Sequence, residues 1–165
     1  MNRITYEGDK DLKIELGSGD ENHRREGYIH LDINNTGQDC VWDITNGLPF
    51  KDSSAEEIYA SHTFEHIERK DLIGVLNECW RVLKPGGVLW VIVPAWDSDS
   101  GLIIPHYTQF NEQTFEHLTG SMNPDYKNLE ASSHSKKIKG WVTLELVTNE
   151  RPDIHWRATP KGKPQ

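Results

Sequence analysis

The feature that most constrains the fold is a change of periodicity between residues 69 and 94. Apolar residues recur from Arg69 at helical spacing, which predicts an amphipathic helix. The "KPGG" segment (84–87) should end this helix, because proline cannot continue it and glycine supplies a left-handed cap. The apolar run "VLWVIVP" (88–94) then predicts a strand covered on both faces in a mostly parallel sheet. With the strand expected at 56–61, these elements form a βαβ unit.

Other apolar runs predict the remainder of the sheet. Short strands are expected over 12–16, 28–33 and 40–44. A helix is expected to begin near Asn111, which can cap it. Alternating residues over 140–147 and 154–160 predict an antiparallel hairpin at the end of the fold. The fold class is therefore α/β, with a mostly parallel sheet and an antiparallel C-terminal hairpin.

The length of 165 residues fits one domain, so we predict a single domain over 1–165. Residues 119–138 are polar and without periodicity, which predicts either a mobile loop or a lid that depends on a partner. Cys40 and Cys79 fall in a predicted strand and helix, and we expect both to be reduced core thiols.

Charge and hydropathy exclude several classes of partner. The net charge of -8 argues against a nucleic-acid partner, because phosphate neutralisation needs clustered lysine and arginine. No apolar run approaches the length needed to cross a bilayer, so no membrane partner is expected. The first residues lack a basic region followed by an apolar stretch and a cleavage site, so we expect a cytoplasmic protein. A homodimer that completes the pocket is possible.

Polar and glycine residues follow the predicted strands where parallel α/β sheets bind ligands, beyond the carboxyl ends of the strands. Gly17-Ser18-Gly19 follows the first strand, and its missing Cβ atoms allow a close approach to a ligand. Asp32 ends the second strand, where a carboxylate can accept hydrogen bonds from ribose hydroxyls. Asp43-Ile44 ends the third and suits adenine, with its exocyclic amine and flat face. The sequence predicts a nucleoside-containing cofactor.

The first crossover departs from the usual nucleotide-binding pattern. A third glycine is absent, Asp20 stands near its place, and few residues remain before the second strand. A helix advances 1.5 Å per residue and must run back along the sheet, so a full crossover helix does not fit. We predict that this helix is shortened or missing, which also removes the helix dipole usually directed towards the ligand.

The segments "IELGSG", "IHLDI", "WDITNGLPFKDSSAEEIYASHTFEHI" and "RVLKPGGVLWVIVP" resemble the successive motifs of class I S-adenosylmethionine-dependent methyltransferases. The resemblance covers about residues 12–118. It implies a Rossmann-like sheet and S-adenosyl-L-methionine as cofactor. By position it implies that the glycines cradle the methionine end, Asp32 binds the ribose, and Asp43 with Ile44 binds the adenine. The implied cofactor-binding set is Glu15, Gly17, Ser18, Gly19, Asp32, Ile33, Asp43, Ile44, Ser61 and His62.

Two histidines are candidates for the catalytic role. His106 follows the fifth strand, over the expected mouth of the site, and His62 follows the fourth. A histidine that titrates near neutrality can take a proton from an acceptor hydroxyl or amine. His106 could equally be a loop residue that anchors the lid. In-line methyl transfer needs little other acid-base chemistry, because the enzyme mainly aligns the reactants and excludes water.

The "HTFEH" segment (62–66) also allows a different interpretation. On a helix, His-x-x-Glu-His can present two imidazoles to zinc, as in a metal hydrolase. No clear third ligand follows, so the predicted set contains no metal ligand. The resemblance instead implies that Glu65 and His66 begin the helix after the fourth strand.

Methyl transfer to a small-molecule or glycan acceptor is the favoured function. The acidic charge and the lack of an added recognition domain support it. The alternative is a protein that binds S-adenosylmethionine without catalysis, which the shortened first motif allows.

Overall fold

The computed structural model describes residues 11–119, 140–148 and 152–163. Within these ranges the chain forms one seven-stranded sheet. Its strands are β1 (Leu12–Leu16), β2 (Ile29–Asp32), β3 (Cys40–Val41), β4 (Ala55–Ser61), β5 (Leu83–Pro94), β6 (Trp141–Val147) and β7 (Asp153–Pro160). The α-helices are α1 (Arg69–Val82) and α2 (Glu112–Thr119). The spatial order of the strands is β3-β2-β1-β4-β5-β7-β6.

The sequential numbering of neighbouring strands switches at β1: β2 and β3 lie on one side of it, and β4 and β5 lie on the other. β1 runs parallel to both of its neighbours, β2 and β4. Leu16, the last residue of β1, is level with Leu31 in β2 and Ala60 in β4. The carboxyl ends of these strands therefore lie side by side. The switch in strand order places a crevice there, which is where open α/β sheets bind ligands.

The C-terminal hairpin is antiparallel, as predicted, with β7 between β5 and β6. It is joined to α2 by aromatic contacts: the Phe115 and Trp156 rings lie 5.0 Å apart, and Trp141 meets Trp156 at 5.9 Å. All these side chains are buried, and the Trp156 indole N–H donates to Thr143 at 3.0 Å. Burial of large aromatic rings is a major source of core stability, so this cluster fixes the antiparallel end of the sheet.

The first crossover contains a single 3₁₀ turn, Glu21–His23, as its helical structure. The predicted loss of the crossover helix is therefore confirmed. Arg24 stabilises the loop instead, because its guanidinium donates to the carbonyl oxygens of Gly19, Thr36 and Gly37 at 2.8–3.1 Å.

Two predicted boundaries need correction. The α1 helix ends at Val82, and its C-cap Leu83 is extended, so the glycines of the "KPGG" segment do not cap it. Gly86 is left-handed (φ 77°) but lies within β5, beside the shift in register with β4. Two groups of donors satisfy the last carbonyls of α1 instead. The Lys163 ammonium donates to Trp80 and Arg81 at 2.6 and 2.7 Å and also to Leu83. The N–H groups of Ser53 and Ser54 donate to Arg81 and Val82 at 2.9 and 2.8 Å.

The predicted third strand is shorter than expected, since β3 ends at Val41 and a 3₁₀ turn follows at Ile44–Asn46. Asp43 causes this change because its side chain caps the turn. The predicted loop or lid over 119–138 lies outside the described residues, apart from Thr119 at the end of α2. Cys40 and Cys79 are buried free thiols, as predicted.

Candidate active site

A cavity of about 670 Å³ lies at the carboxyl ends of β1, β2, β3 and β4. This volume is in the range of small-molecule and cofactor sites, about 300–1,000 Å³. Its wall combines backbone turns, carboxylates and apolar side chains. The lining residues are Gly17, Gly19, Asp32, Ile33, Asn34, Trp42, Asp43, Ile44, Thr45, His62, Thr63, His66, Ile67, Glu68, Asp71 and Tyr107.

The turn after β1 requires glycine at Gly17 for two reasons. Its φ of 65° lies in the left-handed region, and a Cβ there would lie 2.3 Å from the Thr63 hydroxyl oxygen. Thr63 cannot easily move away, because this hydroxyl lies 2.9 Å from the Leu16 carbonyl and 3.0 Å from that of Ser61. The carboxyl ends of β1 and β4 are thus held together where the cavity begins.

Asp32 ties the glycine turn to the end of β2. One carboxylate oxygen, Oδ2, accepts from the Gly19 N–H at 3.0 Å, and Oδ1 accepts from the Asn34 N–H at 2.8 Å. Each oxygen has a second lone pair, so the carboxylate can also accept from a diol. Asp32 lines the cavity and is suitably placed to bind a ribose.

Asp43 begins the turn after β3. Its Oδ1 accepts from the Thr45 N–H at 2.9 Å and from the Thr45 hydroxyl at 2.7 Å. Among the described residues these bonds use Oδ1 alone, so Oδ2 can accept from an amine. Ile44 and Trp42 provide apolar surface beside it, and the Trp42 indole is fixed by donating to the Gly47 carbonyl at 2.7 Å. This wall fits a flat base that carries an amino group.

His62 follows β4 in a left-handed conformation (φ 49°), and its N–H donates to the Ile92 carbonyl at 2.9 Å. Its ring lies between two carboxylates, with Nδ1 at 3.3 Å from Glu65 Oε1 and Nε2 at 3.4 Å from Asp153 Oδ2. The interaction with Glu65 is the main cause that raises the pKa of His62; Asp153 adds to it and desolvation opposes it.

The "HTFEH" segment does not form the helix that a zinc hydrolase would require. His66 lies in a 3₁₀ turn, Phe64–His66, whereas the left-handed His62 precedes it, and α1 begins only at Arg69. The expectation that Glu65 and His66 start a helix is also wrong. A short turn forms here because Thr63 is occupied in joining β1 to β4 and provides no side-chain cap.

Four predicted site residues do not line the cavity. Glu15 is buried and accepts from the Arg25 N–H at 3.0 Å, so it supports the short crossover loop. Ser18 is buried, and its N–H donates to the Leu31 carbonyl at 3.0 Å. Ser61 contributes its carbonyl to Thr63, and the His106 ring lies 4.7 Å from that of His66. Ligand contact by these four residues stays a prediction.

Several residues that line the cavity were not predicted from the sequence. Thr63 carries no motif signal, because its importance comes from contact with Gly17. Trp42 precedes Asp43, so the strand-end rule that selected Asp43 could have included it. Glu68 and Asp71, at the start of α1, and Asn34 add polar groups to the wall.

Sequence and structure comparisons agree on the class of this fold. Residues 24–91 match the family described as "Methyltransferase domain". A sterol 24-C-methyltransferase from Schizosaccharomyces pombe is 32% identical over 117 residues, covering 66% of this chain and 28% of the relative. The chain therefore spans less than a third of the length of this relative.

Solved structures with the same fold include a SAM dependent methyltransferase from Aquifex aeolicus (TM-score 0.58, 14% identity, 92% of this chain and 84% of that chain). A second is the Burkholderia thailandensis 1,6-didemethyltoxoflavin-N1-methyltransferase, determined with bound 1,6-didemethyltoxoflavin and S-adenosylhomocysteine (TM-score 0.58, 11% identity, 93% of this chain and 72% of that chain).

These findings confirm the resemblance to class I S-adenosylmethionine-dependent methyltransferases. The chain has their Rossmann-like fold, and residues 24–91 match the methyltransferase-domain family. No helix within the described residues is long and apolar enough to cross a membrane.

Proposed function

We propose that this chain binds S-adenosyl-L-methionine in the cavity and transfers its methyl group to a small-molecule acceptor. The observation that carries the proposal is the placement of Asp32, Asp43 and the Gly17–Gly19 turn around one cavity at the switch in strand order. In this arrangement Asp32 binds the ribose hydroxyls and Asp43 accepts from the adenine amine. The glycine turn leaves room for the methionine tail.

His62 is our candidate for the proton acceptor. It lines the cavity, and the carboxylates of Glu65 and Asp153 hold its ring from two sides. Methyl transfer breaks the bond from methyl carbon to sulfonium sulfur and forms one to the acceptor's nucleophilic atom. His62 would take the proton that the acceptor's hydroxyl or amine loses in this step. His106, the other predicted base, does not line the cavity, whereas His62 does, so direct contact with the acceptor is better supported for His62.

The acceptor is proposed to have an apolar face. The loop after β5 exposes Trp96, Leu102, Ile103, Ile104 and Tyr107, which we call the apolar rim. Tyr107 also lines the cavity, so the rim adjoins the site. Exposed apolar patches of this kind commonly mark binding surfaces. A glycan, the other predicted acceptor class, would cover this surface less well than an apolar small molecule.

Calorimetric titration with S-adenosylhomocysteine tests the cofactor site. Asp32→Asn and Asp43→Asn should each weaken binding by about 10-fold or more, because each removes a hydrogen bond to a charged acceptor. Asp20→Asn is a matched control. Like Asp43, Asp20 caps a 3₁₀ turn and accepts from the N–H two residues on at 2.9 Å, but it does not line the cavity. Equal affinities for all three variants and the wild type would refute the proposed site.

The acceptor class is tested by measuring how fast S-adenosylhomocysteine forms with each member of a panel of phenols, amines, apolar alcohols and glycans. Turnover should favour acceptors with an apolar face, and Ile104→Ser should lower kcat/KM for them. Val142→Ser, which changes an exposed valine on β6, should have no effect. Cofactor binding without methyl transfer to any acceptor would support the alternative of a binding protein without catalysis.

A further inference from the structure

A second cluster of functional side chains adjoins the cavity through His66. Glu65, His66 and His106 each offer a ligand atom, and these atoms lie within 4.8 Å of one another. We propose that this cluster binds one divalent first-row transition-metal cation of the zinc type. The ligand set is one carboxylate and two imidazoles, which differs from the pair of histidines in the "HTFEH" motif.

Glu65 provides the independent observation that points to a ligand. Its side chain is 1% exposed, and neither carboxylate oxygen accepts a hydrogen bond from the described residues. The contact from Oε1 to His62 Nδ1, at 3.3 Å, is an ion-pair contact outside hydrogen-bond geometry. Apart from this ion pair at Oε1, no hydrogen bond from the described residues offsets the desolvation of the buried carboxylate, and such burial is costly. A cation beside Oε2 would offset it.

The backbone holds His106 against the 3₁₀ turn that carries the other two ligands. The N–H groups of Tyr107 and Thr108 donate to the Glu65 carbonyl at 2.8 and 3.1 Å. The Thr108 hydroxyl is buried and donates to the Ile67 carbonyl at 2.7 Å. The loop after β5 is therefore fixed to the 3₁₀ turn by bonds to the carbonyls of Glu65 and Ile67, on both sides of His66. This organises the cluster before any ion binds.

The two imidazoles meet edge to face, with ring centroids 4.7 Å apart and planes at 83°. His106 Nδ1 is buried and has no hydrogen-bond partner among the described residues. Zinc binds nitrogen and oxygen at about 2.0–2.2 Å in a tetrahedral arrangement, so its ligand atoms lie within about 3.5 Å of one another. Side-chain rotations that shift atoms by about 1 Å or less per ligand would bring this cluster within that limit.

The ligand types define the cation. Imidazole suits zinc, iron, nickel and copper, whereas magnesium prefers a shell of oxygen ligands. Three protein ligands leave an open coordination position, as catalytic zinc sites do. His66 lines the cavity, so this position would face the acceptor. If the proposed function holds, a bound cation would coordinate the acceptor's oxygen and lower its pKa.

The site is tested by calorimetric titration with Zn²⁺. The protein is treated with a chelator first and carries no polyhistidine tag. Wild type should bind one ion per chain, and Co²⁺ should give visible d–d absorption. Glu65→Gln, which keeps the shape of the side chain, and His106→Ala should each weaken Zn²⁺ binding by at least about 10-fold. His23→Ala is the matched control. His23 also meets a carboxylate, with Nδ1 at 3.1 Å from Asp20 Oδ1, but its side chain is 79% exposed and lies outside the cluster.

The proposal is overturned if wild type binds no Zn²⁺, if Mg²⁺ binds as tightly, or if Glu65→Gln and His106→Ala both bind Zn²⁺ like wild type. Circular dichroism melting establishes that each variant is folded before titration, and Glu65→Gln decides the question if His106→Ala does not fold. The titration contains neither S-adenosylmethionine nor acceptor. Its failure would therefore leave the proposed methyl transfer intact, and loss of methyl transfer would leave the metal site intact.

Discussion

Replacing Gly17 by alanine should destabilise the fold more than the same change at Gly19. Both glycines are left-handed, with φ of 65° and 58°. An alanine there costs about 1–2 kcal/mol from the backbone alone. A Cβ at Gly19 meets nothing within 4 Å, whereas a Cβ at Gly17 would meet the Thr63 hydroxyl at 2.3 Å and its methyl at 2.7 Å. Moving Thr63 breaks its hydrogen bonding to the ends of β1 and β4, which adds about 0.5–1.5 kcal/mol.

Gly17→Ala should therefore lose about 1.5–3.5 kcal/mol of unfolding free energy, against about 1–2 kcal/mol for Gly19→Ala. Urea denaturation followed by circular dichroism measures both, provided the m-values are unchanged. Thr63→Ala removes the colliding atoms, so the double variant with Gly17→Ala should lose less than the sum of the single losses. Equal losses at the two glycines, together with additive losses in the double variant, would refute the steric argument.

Two further substitutions test contacts at the C-terminal end of α1. Arg81→Lys should cost about 2 kcal/mol of unfolding free energy, because the guanidinium donates to the Leu48 and Phe50 carbonyls at 2.9 and 2.8 Å and an ammonium cannot reproduce that fork. An unchanged urea midpoint would contradict this. Lys163→Met should cost about 1–2 kcal/mol, because it removes the ammonium that donates to the Trp80 and Arg81 carbonyls at the end of α1. The exposed Lys161→Met should change stability by less than about 0.5 kcal/mol, and similar losses for the two lysines would contradict the capping role.

The sheet could be predicted because its signals are local. The βαβ unit follows from periodicity in a single segment, and the missing crossover helix follows from the few residues between Gly19 and the next strand. Asp32 and Asp43 could be selected because parallel strands bring their carboxyl ends together. Both carboxylates do line one cavity, which depends on strand order rather than on detailed packing.

The remaining features depend on contacts between residues distant in sequence. Thr63 meets the Leu16 carbonyl across 47 positions, and Thr108 meets the Ile67 carbonyl across 41. No local pattern reports such pairs. The same reason applies to His106. Its ring lies 4.7 Å from that of His66, and sequence position alone could not show this contact. Likewise, the burial of Glu65 follows from that loop packing over the 3₁₀ turn.

A crystal structure with S-adenosylhomocysteine would show directly which carboxylate binds which part of the cofactor. We expect the ribose hydroxyls to lie within about 3 Å of the Asp32 carboxylate oxygens. We also expect the adenine amine at Asp43, with the ring against Ile44, and the amino-acid tail over Gly17. A ligand bound outside this cavity, or one whose ribose and adenine contact neither carboxylate, would contradict the proposed cofactor site.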